Sequence, residues 1–241
     1  MKISVIIPAF NEERLIVEML RQAKAATAAF SRRGWETETI VCDNNSTDRT
    51  AELARAGGAA VVFEPVNQIA RARNCGAAAA SGDWLVFIDA DSHPSAELLA
   101  EVADQIEAGR CLAGGSTVRL DGHYLVGSLI TRLWNGISRV WKLLAGSFIF
   151  CDAAAFRQVG GFNNELFAGE EIDLSRRLKR LAREGKKRIV ILHHHPLLTS
   201  ARKMHLYTSR EHFRFLLRVV LSHKKVLSNR DACHTWYDGR R

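Results

Sequence analysis

An α/β fold, with a mostly parallel central sheet flanked by helices, is predicted by three features of this 241-residue chain. Short apolar runs alternate with longer mixed segments through the first half of the sequence. The mixed segments carry apolar residues at helical spacing, as parallel crossover connections require. Two of the apolar runs stop at an acid, Asp43 and Asp89. Ligands of open α/β sheets sit beyond the carboxyl ends of the strands, which is where both acids fall.

The elements follow in order. Ile3 to Pro8 reads as the first strand. Asn11 is expected to cap the next helix, with Glu12 and Glu13 in its first turn and Leu15, Met19, Ala23 and Ala26 on its inner face. Glu38 to Cys42 is the second strand. The polar run Asp43–Asp48 follows, where Ser46 or Thr47 caps a helix to about Ala56, closed by Gly57-Gly58. Ala59–Phe63, a helix over Ile69–Ala80 and an apolar strand over Trp84–Ile88 complete the regular part.

Beyond it the pattern predicts a helix over Glu97–Ala108, a strand over Cys111–Leu120 and an amphipathic helix or two over Leu125–Leu144. A strand at Ser147–Cys151, a short helix at Ala153–Val159, a charged helix at Ile172–Arg183 and a late strand at Arg188–Leu192 come next. A basic amphipathic helix is expected over Tyr207–His223. With no linker or repeat, the chain reads as a single domain over 1–241: a regular half (1–95), an irregular half (96–204) and a basic helix and tail (205–241).

Bulk properties exclude several classes. The five Cys form no CxxC pair and are odd in number, against a disulfide framework or a structural zinc site. The opening apolar run is too short for a signal peptide or a membrane span, so a cytoplasmic location is expected. The net charge of +8 is lopsided. Residues 1–175 hold 16 Lys+Arg against 22 Asp+Glu, net −6, and residues 176–241 hold 18 against 4, net +14. The basic section is either an attractor for nucleic acid, anionic lipid or a phosphorylated ligand, or a solvated face.

The acids carry the chemistry. Asp89-Ala90-Asp91 ends a strand with two carboxylates, hard oxygen ligands suited to Mg²⁺ or Mn²⁺. The alternative is a strand-terminal turn with Asp capping a helix. Glu170-Glu171-Ile172-Asp173 opens a helix, where negative charge is favoured in any case and Asp173 pairs with Arg177 at i,i+4. One of these carboxylates is otherwise a general base. Asp43 either accepts hydrogen bonds from a base or ribose, or caps its turn.

Six ordered motifs resemble the inverting family 2 glycosyltransferases of GT-A fold, across roughly residues 2–178. They are Val5–Glu12, Val41–Asp48, Ala72–Gly76, Phe87–Asp91, Val159–Phe162 and Gly169–Leu174. The resemblance implies a nucleotide-diphospho-sugar transferase with a nucleotide-binding half at 1–95 and an acceptor side at 96–204. Pro8, Ala9 and Glu12 match the family's donor-cleft entrance, and Asp43 matches the acid that reads the nucleobase. Arg73 and Asn74 match positions near the nucleotide; Asp89, Ala90 and Asp91 match the ribose and metal motif, with Asp91 the direct metal contact. Glu171 falls where the family usually has the catalytic Asp of a Glu-Asp pair, a departure by one methylene that leaves Glu170 or Asp173 as alternatives.

What the resemblance implies is metal-dependent transfer of a sugar, with a lean to a UDP-linked donor, to an acceptor hydroxyl on a lipid or polysaccharide precursor. His193 or His195 either completes the Mn²⁺ or Mg²⁺ site or belongs to a polar strand end, and alternation keeps the three consecutive His residues from facing one way. Arg202 either grips a diphosphate or phosphorylated acceptor, or lies in a basic turn. The basic helix over Tyr207–His223 lies on a membrane, packs on the sheet or pairs subunits. Trp134, Trp141 and Tyr124 line an acceptor groove or fill core. A nucleotidyltransferase needs a Gly-rich basic loop after the first strand, a dinucleotide site needs GxGxxG, and a nucleic-acid module needs base-reading motifs. None is present, so nucleic acid is not an expected partner, while an oligomer stays open.

Overall fold

The computed structural model describes residues 1–122 and 125–200. Tyr124, Arg202 and the basic helix expected over Tyr207–His223, with the membrane contact expected of it, lie outside these described residues. Eight strands and seven helices make up the described part: β1 (Lys2–Ala9), α1 (Ile16–Ser31), β2 (Glu36–Asp43), α2 (Thr50–Ala56), β3 (Ala60–Phe63), α3 (Ile69–Ala79), β4 (Trp84–Ile88), β5 (Ser92–His93), α4 (Ala96–Glu107), β6 (Cys111–Leu120), α5 (Leu125–Trp141), β7 (Phe148–Asp152), α6 (Ala153–Gln158), α7 (Glu170–Glu184) and β8 (Arg188–Thr199).

All eight strands join one sheet in the order β3-β2-β1-β4-β7-β6-β8-β5. The first four pair in parallel, as the strand–helix alternation predicts. β7 enters antiparallel between β4 and β6, β8 runs parallel to β6, and the short β5 is antiparallel to β8. The sheet is therefore mixed in its second half, where the sequence pattern is least regular.

Alternation within the buried strands divides the core into two layers. Ile3, Val5 and Ile7 of β1 with Trp84, Val86 and Ile88 of β4 meet α1 and α4 on one face. Ile6, Leu85 and Phe87 point to the other face, toward α3, α6 and α7. Close approach on this second face depends on Gly76 of α3, where an added β-carbon would lie 2.5 Å from Ile6 Cγ2. No described helix is long and apolar enough to cross a membrane, and the four described cysteines are free thiols.

Three local expectations are corrected. Asn11 does not cap α1, which starts at Ile16 with Leu15 at its N-cap and no side-chain cap. Asn11 instead takes a left-handed backbone (φ 52) and accepts from the Thr47 N–H at 2.8 Å. Glu12 and Glu13 are likewise outside the helix: the Glu12 N–H donates to Thr50 Oγ1 at 2.7 Å and the Glu13 carboxylate accepts from the Arg49 N–H. Neither Ser46 nor Thr47 caps α2; Asp48 accepts from the Thr50 N–H at 2.9 Å. The loop after β1 is thus stitched to the loop after β2, a long-range pairing that outcompetes local helix capping.

The late strand does not stop at Leu192 but runs to Thr199. Pairing with β6 jumps from Ser116↔Leu192 to Val118↔Leu197, so His193–Pro196 bulge out opposite a single residue.

Replacing Gly76 with Val is expected to lower unfolding free energy by about 1–3 kcal/mol through overpacking against Ile6. Urea denaturation checks this; an unchanged midpoint would mean that α3 shifts freely on β1.

Candidate active site

The carboxyl ends of β1, β2 and β4 form one rim. Pro8 and Ala9 close β1 beside Cys42 and Asp43 of β2. Asp43 is buried, and its Oδ1 accepts from the Ser46 N–H at 3.1 Å, so the turn-capping reading of this residue is realised. Next to it Asn44, also buried, holds the following loop: Nδ2 donates to the Glu64 and Val66 carbonyls and Oδ1 accepts from the Gln68 N–H. Nothing local in the sequence marks Asn44 or Gln68, whose side-chain partners lie twenty to nearly a hundred residues on. Gln68 in turn donates to the carbonyls of Asn164 and Leu166.

At the end of β4 stands Arg73 of α3, 1% exposed and charged. Its Nη1 donates to Glu170 Oε1 at 2.7 Å, and its Nη2 donates to Asp89 Oδ1 at 2.9 Å and to the Gly146 carbonyl at 2.7 Å. The guanidinium also lies 5.2 Å from the Phe162 ring centroid. Burial alone would lower its pKa, but the adjacent Asp89, Glu170 and Glu171 more than offset that and keep it protonated. One cation thus joins α3, the end of β4, the loop before β7 and the start of α7.

Asn74, the neighbour of Arg73 on α3, holds a backbone turn. Its Nδ2 donates to the Phe162 carbonyl at 2.8 Å and its Oδ1 accepts from the Phe162 N–H at 2.9 Å, so it clasps the backbone of the Gly160-Gly161-Phe162 turn. Gly161 fits this clasp because its φ is +67 and a β-carbon there would sit 2.6 Å from Asn74 Oδ1.

α7 begins after Gly169, which holds a left-handed φ of 74. Its three first-turn acids have separate fates. Glu170 is buried and committed to Arg73. Asp173 pairs with Arg177 of its own helix at 2.7 Å, as the i,i+4 spacing predicts. Glu171 remains, beside Arg73 over a shared floor: a β-carbon on Gly146 would lie 3.3 Å from Arg73 Nη2 and 3.7 Å from the Glu171 carboxyl carbon. Burial, then the negative charge of Glu170, pushes the Glu171 carboxyl up to about 8, against the opposing pull of Arg73. The loop that supplies Gly146 is tied to the same helix turn, because the Leu144 N–H donates to Ser175 Oγ and Ser175 Oγ donates to the Glu171 carbonyl.

Ala90 and Asp91 are both buried just past β4. The Asp91 carbonyl accepts from the Ser200 N–H, and its Oδ1 lies 3.5 Å from Ser92 Oγ. Asp89 and Asp91 offer hard oxygen donors at the rim. Among the described residues no group of three or more His, Cys, Asp or Glu gathers as a metal site. The donor type of the Asp89–Asp91 pair, hard carboxylate oxygen, is what Mg²⁺ or Mn²⁺ accepts, with phosphates and water completing the shell. The histidines do not join this pair. His195 sits in the β8 bulge with Nδ1 2.5 Å from Glu101 Oε1 of α4, and His193 lines a groove with α5, its ring tilted against that of His194. Of the middle aromatics, Trp134 is partly buried and Trp141 is 64% exposed, so Trp141 fills no core.

Two outcomes are expected from this geometry. Arg73→Met strands Glu170 and Asp89 and should cost about 3–5 kcal/mol of unfolding free energy, measured by denaturant titration. Glu171 holds its proton more tightly folded than unfolded. Its contribution to stability is complete below the ordinary carboxylate range and is lost as pH rises through about 8. Glu171→Gln should therefore gain melting temperature relative to the wild type between pH 5 and pH 9, as thermal scans across that range would show.

The sequence profile of Glycosyl transferase family 2 matches residues 4–159. An uncharacterized glycosyltransferase of Mycobacterium tuberculosis is 33% identical over 113 residues, 47% of this chain and 47% of that protein, so the match spans about half the relative's length. Among solved structures, S. aureus TarS 1-349 in complex with UDP-GlcNAc aligns over 100% of this chain and 74% of its own, with TM-score 0.64 and 20% identity. Glucosyl-3-phosphoglycerate synthase from Mycobacterium tuberculosis, in complex with Mn²⁺, UDP and phosphoglyceric acid, aligns over 96% and 78%, with TM-score 0.62 and 21% identity. These two likenesses establish the fold. The profile match, covering well over half of the chain, together with the mixed sheet and its acid-lined rim, shows that the chain belongs to glycosyl transferase family 2 and is a glycosyltransferase of GT-A fold.

Proposed function

We propose that the protein transfers a sugar, with inversion, from a UDP-linked nucleotide-diphosphate sugar to an acceptor hydroxyl on a lipid or polysaccharide precursor. The observation that carries this reading is the division of the α7 acids. Arg73 engages Glu170, Arg177 engages Asp173, and Glu171 is left as a carboxyl of raised proton affinity next to the β4 rim. A base whose pKa lies near the working pH takes and holds a hydroxyl proton more readily than an ordinary carboxylate. The uridine lean draws support from the nucleotides in the two aligned structures.

In this reading Pro8, Ala9, Glu12 and Asp43 border the nucleotide, and Arg73 acts from beneath by fixing Asp89. Asp91 with Asp89 would hold a divalent ion; when bound, that ion supplies positive charge to the departing diphosphate. Glu171 accepts the proton of the acceptor hydroxyl, whose oxygen bonds to the anomeric carbon as the carbon–diphosphate bond breaks on the opposite side. One displacement inverts the configuration and leaves no sugar on the enzyme.

A thermal-shift screen of UDP- and GDP-sugars with and without Mn²⁺ should give its largest rise with a UDP-sugar and the metal together, by mass action on the folded state. Asp91→Ala should abolish the metal-coupled part of that rise. Glu171→Gln should lower kcat by about 10²–10⁴-fold while donor affinity stays near the wild-type value. Turnover undiminished in Glu171→Gln removes it as the base.

A further inference from the structure

Helix α5 is amphipathic in the inverse sense for a packed helix. It lies on β6 through a polar and small-residue side. Asn135 Oδ1 accepts from the Val118 N–H at 3.0 Å, Asn135 Nδ2 donates to the Val118 carbonyl at 2.9 Å, and Ser138 is buried with its hydroxyl on the Leu143 carbonyl. The outward side is apolar. Leu129 is 69% exposed, Leu133 66%, Val140 75% and Trp141 64%, with Ile130 also exposed. At 3.6 residues per turn these five side chains fall within an arc of about 120°. Exposed Arg132 and Arg139 run along one border of that arc.

The arc continues into a basic groove. Val140 and Trp141 also line a cavity of about 730 Å³ whose walls carry Lys142, Lys179, Arg183, Lys187 and Arg188. Glu101 is the only carboxylate lining it among the described residues, and His195 engages it.

We propose that α5 docks the protein on an anionic membrane surface. The apolar arc enters the boundary between headgroups and acyl chains, Arg132 and Arg139 extend to the headgroups, and the groove cations meet lipid phosphates. Charge decides between occupants. A two-fold pairing of this face with a second copy would bring two faces of the same positive charge together. Residues 201–241 carry ten Lys+Arg against three Asp+Glu, so covering the face with that segment would also bring positive charge to positive charge. An anionic bilayer supplies both the apolar phase and the missing countercharge. Gly146, the loop residue under Arg73 and Glu171, follows Trp141 by five residues, so docking would bring the acceptor side of the site near the lipid surface.

The test is co-sedimentation of the full chain with phosphatidylcholine vesicles containing or lacking phosphatidylglycerol. Binding should require phosphatidylglycerol and weaken with salt. Arg132→Gln and Arg139→Gln should each lower partitioning about fivefold, and the pair Leu133→Gln with Trp141→Gln by at least about tenfold. All four positions are exposed, so melting temperatures should stay at the wild-type value, separating lost docking from lost folding. Equal binding to both vesicle types, or binding unchanged in the double variant, overturns the proposal. So does a wild-type dimer that ignores vesicles and becomes monomeric in the double variant. None of these readouts depends on sugar transfer.

Discussion

The site is organised around a buried positive charge. Arg73 has lost nearly all contact with water, yet its two terminal nitrogens reach Glu170, Asp89 and the Gly146 carbonyl. Moving a guanidinium into such a place is costly, and a buried pair of this kind gives little net stability over apolar side chains of the same size. What it gives is position. The fork geometry of the guanidinium sets carboxylates from the end of β4 and from the first turn of α7 at fixed places around one plane. Its Nε has no partner among the described residues, an extra cost consistent with a placement tuned for its neighbours rather than for the fold alone.

That arrangement creates a second, less comfortable group. Glu170 is neutralised by Arg73, while Glu171, next in the chain, is raised by burial and by the charge of Glu170. A helix N-terminus ordinarily favours the ionised form. Here loss of water outweighs it, and the protein keeps a carboxyl whose ionisation works against folding at neutral and alkaline pH. Local destabilisation of this sort is common where a group must exchange a proton. The departure from Asp to Glu at this position gains meaning from the same geometry. The hydrogen bonds Leu144–Ser175–Glu171 tie the loop that carries Gly146 to the helix turn that carries the longer side chain.

The legible part of the molecule is the part held by local rules. Boundaries of β1 to β4, α3 and α4 lie within about two residues of those expected: β1 and β4 are buried on both faces and read as continuous apolar runs, and Ser95 caps α4 with its own hydroxyl. The rim acids were legible for the same reason, as each ends a strand. What failed was set by partners far along the chain. Asn11 reads as a cap, but its side chain is claimed by Thr47 across two loops. The clasp of Asn74 on the Phe162 backbone, 88 residues away, had no local signature. The three histidines read as a strand end, but β8 continues past them and a bulge turns His195 toward Glu101. The Arg73–Glu170 pair had no local signature at all, being 97 residues apart.

Helix α5 marks the limit of periodicity as a guide. A stripe of Leu, Ile, Val and Trp at helical spacing announces an amphipathic helix correctly, but it does not say which way the stripe faces. The orientation is decided by Asn135. Its amide imitates a strand residue by pairing both N–H and C=O of Val118, satisfying backbone groups that β6 would otherwise leave open beside the β8 bulge. With that contact made, the polar side is fixed inward and the apolar side is turned out. The constraint propagates along the chain: α5 ends at Trp141, Lys179 of α7 holds the Trp141 carbonyl, and the next residues deliver Leu144 to Ser175 and Gly146 to Arg73. The outward face of α5 and the first turn of α7 are therefore joined through one short loop.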